Sequence, residues 1–235
     1  MNVMGSSGER TGADRTRVEP DDVSVIIPCR NEAGSLPDLL ARIPAGMEPL
    51  VVDNGSDDGT GRVARDCGAT VVTERRPGYG SAVHAGVVAA RRPVLCTIDG
   101  DGSLSPEELP RLLERLAAGA DLAVGRRIPQ PSSAWPMHAR LGSLFVAWRL
   151  RRMYGMGVHD IGPMRAIRRE VLLGLDVGDR RSGYPVEVLV RAGRAGLRVD
   201  ECDVIYRPRT AGTSKVSGSL RGSVRAGRDF LAALS

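Results

Sequence analysis

Lysine is almost missing from this chain: of its 33 basic residues only Lys215 is a lysine, and the rest are arginines. Arginine is a planar fork and lysine a compact point charge, so the one ammonium kept in so arginine-rich a sequence is a candidate for function. Aromatic residues make up 3% of the chain and no nucleic-acid reader motif is present, which argues against nucleic acid as a partner. The four cysteines, Cys29, Cys67, Cys96 and Cys202, form no CxxC pair and have no histidine at ligand spacing. Neither a zinc site nor a disulfide framework is indicated, and a reducing cytoplasm is the expected setting. No apolar run reaches the ~18 residues needed to span a bilayer. The start of the chain is polar and glycine-rich rather than signal-like, so residues 1–20 are expected to form a disordered tail.

What is present suits one large α/β domain, or a domain with an appended subdomain: 235 residues with 42% hydrophobic content. The net charge of +5 hides an asymmetry. Residues 1–125 hold 13 basic and 19 acidic side chains, while residues 126–235 hold 20 and 9. An acidic half beside a basic one fits a protein that holds a cation and an anionic ligand, or that docks on an anionic surface. An ordinary solvated arginine-rich face is the plainer alternative.

Apolar runs alternate with polar loops and helical patterns through the first half. Val23–Pro28 reads as a buried strand ended by Pro28, and Cys29–Gly34 as the loop before a helix starting near Ser35. Leu50–Asp53, Ala69–Thr73 and Val94–Ile98 read as further strands, with helices at Thr60–Cys67, Ser81–Ala90 and Pro106–Ala118. Four strand-loop-helix units predict a mostly parallel sheet, whose ligands bind at the carboxyl ends of its strands. Arg30, Glu32, Asp53, Asp99 and Asp101 should therefore gather on one rim. In the second half a helical pattern over about His138–Met153 carries an apolar stripe, Leu141, Leu144, Phe145, Trp148 and Met153, flanked by Arg140, Arg149, Arg151 and Arg152. Core packing is the usual meaning of such a stripe; a basic amphipathic helix at a membrane interface is the functional one. A last strand is expected near Val199–Tyr206, before a basic, Gly- and Ser-rich segment from Arg207 onward.

The chemistry begins with Asp99-Gly-Asp101, two hard oxygen ligands at the end of an apolar strand, suited to Mg²⁺ or Mn²⁺. Together with Val25-Ile-Ile-Pro-Cys-Arg-Asn-Glu32, Val52-Asp-Asn-Gly-Ser-Asp-Asp-Gly-Thr60 and Gly78-Tyr-Gly80, this pair resembles the motif series of the family 2 glycosyltransferases. The resemblance implies a GT-A fold, a Rossmann-like α/β architecture with a mostly parallel central sheet. It implies a nucleotide-sugar donor held by Pro28, Arg30, Glu32, Asp53, Gly78, Gly80, Asp99 and Asp101, with Mg²⁺ or Mn²⁺ on the two aspartates. Val124-Gly-Arg-Arg127, Asp160-Ile-Gly-Pro-Met-Arg-Ala166 and Tyr206–Lys215 are similar to segments of the dolichyl-phosphate sugar synthase branch. That branch implies phosphate or acceptor binding by Arg127, Arg165, Arg209, Ser214 and Lys215. Residues 21–125 would then be the nucleotide-sugar half and residues 126–235 the acceptor half.

Two departures bear on detail. Ser103 stands where the mannose synthases of that branch carry a glutamine, and the Asp160–Arg165 segment is one residue shorter than theirs.

The expected activity is inverting transfer of a sugar from a GDP-mannose or UDP-glucose type donor to a polyprenyl or dolichyl phosphate. A soluble transferase acting on a small-molecule hydroxyl is the alternative enzyme, and a basic membrane-surface module the alternative without catalysis. The protein would be cytoplasmic, with peripheral contact at the inner face of the membrane as a further expectation. An ionised phosphate acceptor needs no strong base, whereas a hydroxyl does; Asp160 is the first choice for that base and Glu187 the second, with an ion pair to Arg165 as Asp160's structural alternative. His84, His138 and His159 have no ligand or triad spacing, although His159 adjoins Asp160. Gly78-Tyr-Gly80 lacks the third glycine of a dinucleotide-binding loop, which excludes a dehydrogenase.

Overall fold

The computed structural model describes residues 18–130 and 137–209. The expected tail at 1–20 falls almost wholly outside them, and so do Ser214 and Lys215.

Seven strands form one sheet: β1 (Val23–Cys29), β2 (Glu48–Asp53), β3 (Thr70–Thr73), β4 (Val94–Thr97), β5 (Leu122–Pro129), β6 (Arg165–Arg168) and β7 (Val199–Tyr206). Their order is β3-β2-β1-β4-β6-β5-β7. β6 pairs antiparallel with both β4 and β5, and every other pairing is parallel. The helices are α1 (Leu36–Ala41), α2 (Thr60–Asp66), α3 (Tyr79–Ala89), α4 (Leu109–Ala117), α5 (Met137–Tyr154), α6 (Arg169–Gly174) and α7 (Tyr184–Arg194).

The period of two in β1 sorts its side chains between two cores. Val23, Val25, Ile27 and Cys29 face a cluster built with α1, α2 and α4, while Ile26 faces one built with α3, α5, α6 and α7. On α4, Leu109, Leu112, Leu113 and Leu116 recur at helical spacing and all are buried, each contributing roughly 2 kcal/mol of apolar transfer. Three layers result, with the sheet in the middle.

Pro28 does not end β1. The strand runs to Cys29, paired through its last residues with β2 alone, because β4 stops opposite Ile26. Proline is tolerated there because one side of the strand no longer needs its N–H.

The six strands that run together point their carboxyl ends at one rim. β6 runs the other way, so its amino end, with Arg165 opposite Thr97, lies on that same rim. This antiparallel strand brings Arg165, from the second half of the chain, in beside β4.

Candidate active site

The rim is built from loops that bind one another. Asn31 N–H donates to Ser56 Oγ at 3.0 Å, Glu32 N–H to Thr60 Oγ1 at 2.9 Å and Ala33 N–H to Asp58 Oδ2 at 3.0 Å, so the loops after β1 and β2 form one unit. Burial works to raise the Asp58 carboxyl, but hydrogen bonds from Thr60 and Ala33 outweigh it and hold the group below its ordinary value. Asp53 accepts from Ser56 N–H at 3.0 Å, within its own loop. Asn54 extends the unit: its Nδ2 donates to the carbonyls of Glu74 and Arg76, and its Oδ1 accepts from Gly78 N–H at 2.9 Å. Arg30 is exposed at the mouth, while Pro28, Glu32 and Asp53 are half-buried.

Gly78 and Gly80 are also required by packing within the protein. A Cβ on Gly78 would meet the Arg180 carbonyl oxygen, and one on Gly80 would lie 2.7 Å from the Asp179 carbonyl oxygen. Both amides are committed within the protein, that of Gly80 to the Arg181 carbonyl at 3.0 Å. The glycines admit the 179–181 backbone against the start of α3, and this packing aims Tyr79 at the acidic pair.

Gly100, between the two aspartates, is also forced by close approach. A Cβ there would stand 2.5 Å from both Cys29 Sγ and Glu32 Oε2, and the Gly100 carbonyl accepts from Ser35 Oγ at 2.7 Å. The first motif and the acidic motif therefore touch. Burial pushes the Cys29 thiol well up, with the Glu32 carboxylate adding to the effect.

Asp101 is buried; its Oδ1 accepts from Ser103 N–H at 2.9 Å and its Oδ2 is 2.8 Å from Arg209 Nη1. Burial, reinforced by the charge of Asp101, raises the Asp99 carboxyl to about 7 against the opposing pull of Arg209, Arg127 and a hydrogen bond from Tyr79. A cation placed between two carboxylates crowded in this way would relieve their repulsion. No third His, Cys, Asp or Glu joins them among the described residues. That fits Mg²⁺ or Mn²⁺, since Mg²⁺ is commonly held by one or two carboxylates and completes its shell with phosphate oxygens and water.

The basic side of the rim centres on Arg127. Its Nε and Nη2 grip Asp160 at 2.7 and 2.8 Å, its backbone N–H adds a third bond, and its guanidinium lies 5.6 Å from the centre of the Tyr206 ring. Ser143 Oγ, from the buried face of α5, donates to the same carboxylate. Burial would raise Asp160, but these bonds prevail and its carboxyl is held below the ordinary range. Four hydrogen bonds fill the four lone-pair positions of a carboxylate.

The partner of Asp160 is thus Arg127, not Arg165, and the base expected at Asp160 is already spent on structure. Arg165 is buried, donating to the Gly162 and Ile161 carbonyls at 3.0 and 3.1 Å, and burial lowers it to about 10, still charged at neutral pH. It lies beneath the rim, lining a cavity of about 20 Å³ with Tyr79 and Tyr184. Glu187 accepts from the Gly178 and Asp179 amides and from Arg191, which also gives it a structural task. His159 is exposed, its Nδ1 3.0 Å from Glu201 Oε2, while Glu201 Oε1 accepts from the backbone N–H groups of His159 and Asp160.

The loops after β1 and β2, the acidic pair, Arg127 of β5 and Arg209 just beyond β7 so form one site. Its motifs agree with a comparison of the whole chain: the profile of glycosyl transferase family 2 matches residues 24–174. The chain belongs to that family. An uncharacterized glycosyltransferase of Mycobacterium tuberculosis is 58% identical over 215 residues, covering 92% of this chain and 99% of the relative. The polyprenol monophosphomannose synthase of Mycolicibacterium smegmatis is 36% identical, covering 93% of this chain and 90% of its own, which puts the protein in the polyprenyl-phosphate sugar transferase branch of the family. Among solved structures, glucosyl-3-phosphoglycerate synthase of Mycobacterium tuberculosis, crystallised with Mn²⁺, UDP-glucose and phosphoglyceric acid, superposes with a TM-score of 0.73 at 22% identity over 90% of this chain and 78% of that one. The fold is GT-A, as the motif series implied.

The apolar stripe on α5 does not pack in the core. Val146, Ala147 and Leu150 do so from the opposite side of the helix, leaving the stripe outside. Among the described residues no helix is long and apolar enough to cross a membrane.

Proposed function

We propose that this glycosyltransferase moves a sugar from a nucleotide-diphosphate sugar of the GDP-mannose or UDP-glucose type to a polyprenyl phosphate. One observation carries the choice of acceptor. The two carboxylates expected to serve a hydroxyl acceptor as its base are both engaged by the protein: Asp160 accepts four hydrogen bonds and Glu187 three. A phosphate monoester is already ionised at neutral pH and attacks without surrendering a proton, so it does not need Asp160 or Glu187 as a base.

In this reading Asp99 and Asp101 hold Mg²⁺ or Mn²⁺, which when bound supplies charge neutralisation at the leaving diphosphate. Pro28, Arg30, Glu32 and Asp53 form the nucleoside side of the site. Arg127, fixed by Asp160, sets a preorganised positive potential where donor and acceptor phosphates meet, and Arg209 adds to it once the metal takes Asp101. Arg165 supports that region from below. Ser214 and Lys215, outside the described residues, complete the anion-binding set. Support for this reading comes from the likeness to the polyprenol monophosphomannose synthase of Mycolicibacterium smegmatis.

The test is a thermal-shift panel of UDP, GDP and dTDP sugars with and without Mn²⁺, followed by transfer assays with the donor it selects. A ligand of the native state raises the melting temperature. A metal-dependent shift for one nucleotide, followed by transfer to a short-chain polyprenyl phosphate, is the expected result. Faster transfer to a sugar or small-molecule alcohol than to the phosphate would overturn the acceptor assignment.

A further inference from the structure

Six large apolar side chains of α5 stand in solvent, Met153 at 41% near its end and five that share a face: Met137 is 66% exposed, Leu141 57%, Leu144 46%, Phe145 48% and Trp148 49%. Their spacing along α5 puts them on a single face, and the Phe145 and Trp148 rings are in contact with centroids 5.9 Å apart. Isolated exposed apolar residues need no explanation, but a contiguous stripe on one helix marks an interaction surface. The charge around it indicates the partner. Between Asp121 and Asp160 the sequence contains no acidic residue and six arginines. Arg140 and Arg152 are exposed and Arg149 half-buried along the stripe. A protein partner would be expected to meet carboxylates as well as arginines at the rim of its interface. An apolar stripe edged by cations alone matches a surface that is apolar below and anionic above.

We propose that α5 is a docking element for an anionic lipid bilayer. The helix lies in the headgroup plane with the stripe turned into the acyl boundary and the arginines among the lipid phosphates. Trp148 belongs at that level, having an apolar ring and one polar N–H.

The opposite face of the same helix carries Ser143, bonded to Asp160 and through it to Arg127. The bilayer surface and the basic side of the active site are therefore about one helix diameter, ~10 Å, apart. A lipid-linked phosphate tethered at headgroup level would come up beside Arg127. This second step rests on the acceptor proposed above; docking itself does not.

The experiment is flotation of the full-length protein with vesicles of phosphatidylcholine alone or with about a quarter phosphatidylglycerol, in low and high salt, with no donor or acceptor present. Wild type should float with the anionic vesicles, severalfold less at high salt, and stay behind with the neutral ones. Combined Leu144→Gln, Phe145→Gln and Trp148→Gln should abolish flotation while the melting temperature and the Mn²⁺-dependent nucleotide shift are retained. Arg140→Gln with Arg152→Gln should weaken it and flatten the salt dependence. The proposal fails if wild type does not float, if the triple variant floats as wild type does, or if light scattering shows a dimer that the triple variant breaks, since the stripe would then meet a second copy. Failure to transfer sugar to polyprenyl phosphate would leave flotation untouched, so the two readings fall separately.

Discussion

Arg209 Nη1 sits 2.8 Å from Asp101 Oδ2, so the chain provides its own cation for the more buried of the two acidic-motif aspartates. Arg209 arrives there because the end of β7 is tied alongside the acidic loop. Leu104 bridges to Tyr206, and Arg207 N–H donates to the Ser103 carbonyl at 2.9 Å. A divalent cation that takes Oδ2 must share it with, or displace, a guanidinium. In the proposed reaction, a metal on Asp101 would release Arg209 toward the donor diphosphate.

The first prediction follows from that competition. Arg209→Gln should bind Mn²⁺ more tightly than wild type when no nucleotide is present, by roughly tenfold for the loss of a charge-assisted bond of ~1.5 kcal/mol. Transfer should nevertheless fall. Free Mn²⁺ measured by electron paramagnetic resonance checks the affinity, and an unchanged value would show that the arginine and the metal do not contest Asp101.

Asp101→Asn keeps the volume of the side chain and its bond to Ser103 N–H but removes the charge. Transfer should drop by at least ~10² while the circular dichroism spectrum is unchanged. Lys215→Ala should likewise abolish transfer without loss of fold. Full activity in either variant would remove that residue from the site.

Asp160→Asn should be a stability variant first. Removing one partner of a buried pair leaves Arg127 uncompensated, at a cost of about 3–5 kcal/mol. The Asp160 carboxyl has a folded-state pKa below the free value. Its stabilisation is therefore complete above the unfolded value of about 4 and is lost as pH falls through the lower folded one. The gap in melting temperature between wild type and variant should stay level from about pH 8 to about pH 5 and close only in stronger acid. A gap that widened toward low pH would contradict the ion pair.

Glycine replacements separate packing from turn conformation. Gly78→Ala puts a methyl group onto the Arg180 carbonyl at a φ of 141°, and should cost roughly 2–4 kcal/mol in urea unfolding. Gly55→Ala, at a φ of 77° with nothing within 4 Å of the added carbon, should cost only about 1 kcal/mol. Equal costs would mean that the 179–181 segment does not press on α3.

Local pattern alone determined the strand-loop-helix units of the first half. Period-two and period-3.6 apolar spacing are properties of neighbouring residues, so β1, β2, β4 and α4 were visible without any tertiary contact. The carboxyl-end rule then put Asp53, Asp99 and Asp101 on one rim, and the motif series supplied the family. Only the tertiary structure could decide what depends on distant residues. The four-residue β6 has no period to read, yet its antiparallel insertion between β4 and β5 is what carries Arg165 to the rim. Asp160 could have met either nearby arginine, and the close of β5 chose Arg127. Ser143, a polar residue on the buried face of an apolar helix, was the one local sign of that pair. α5 is apolar on two sides, so its sequence could not say which would be buried; Val146 and Leu150 join the core on the side packed against α7, while Phe145 and Trp148 are left outside. Periodicity finds a helix, but which face it buries is settled by what the rest of the chain places against it.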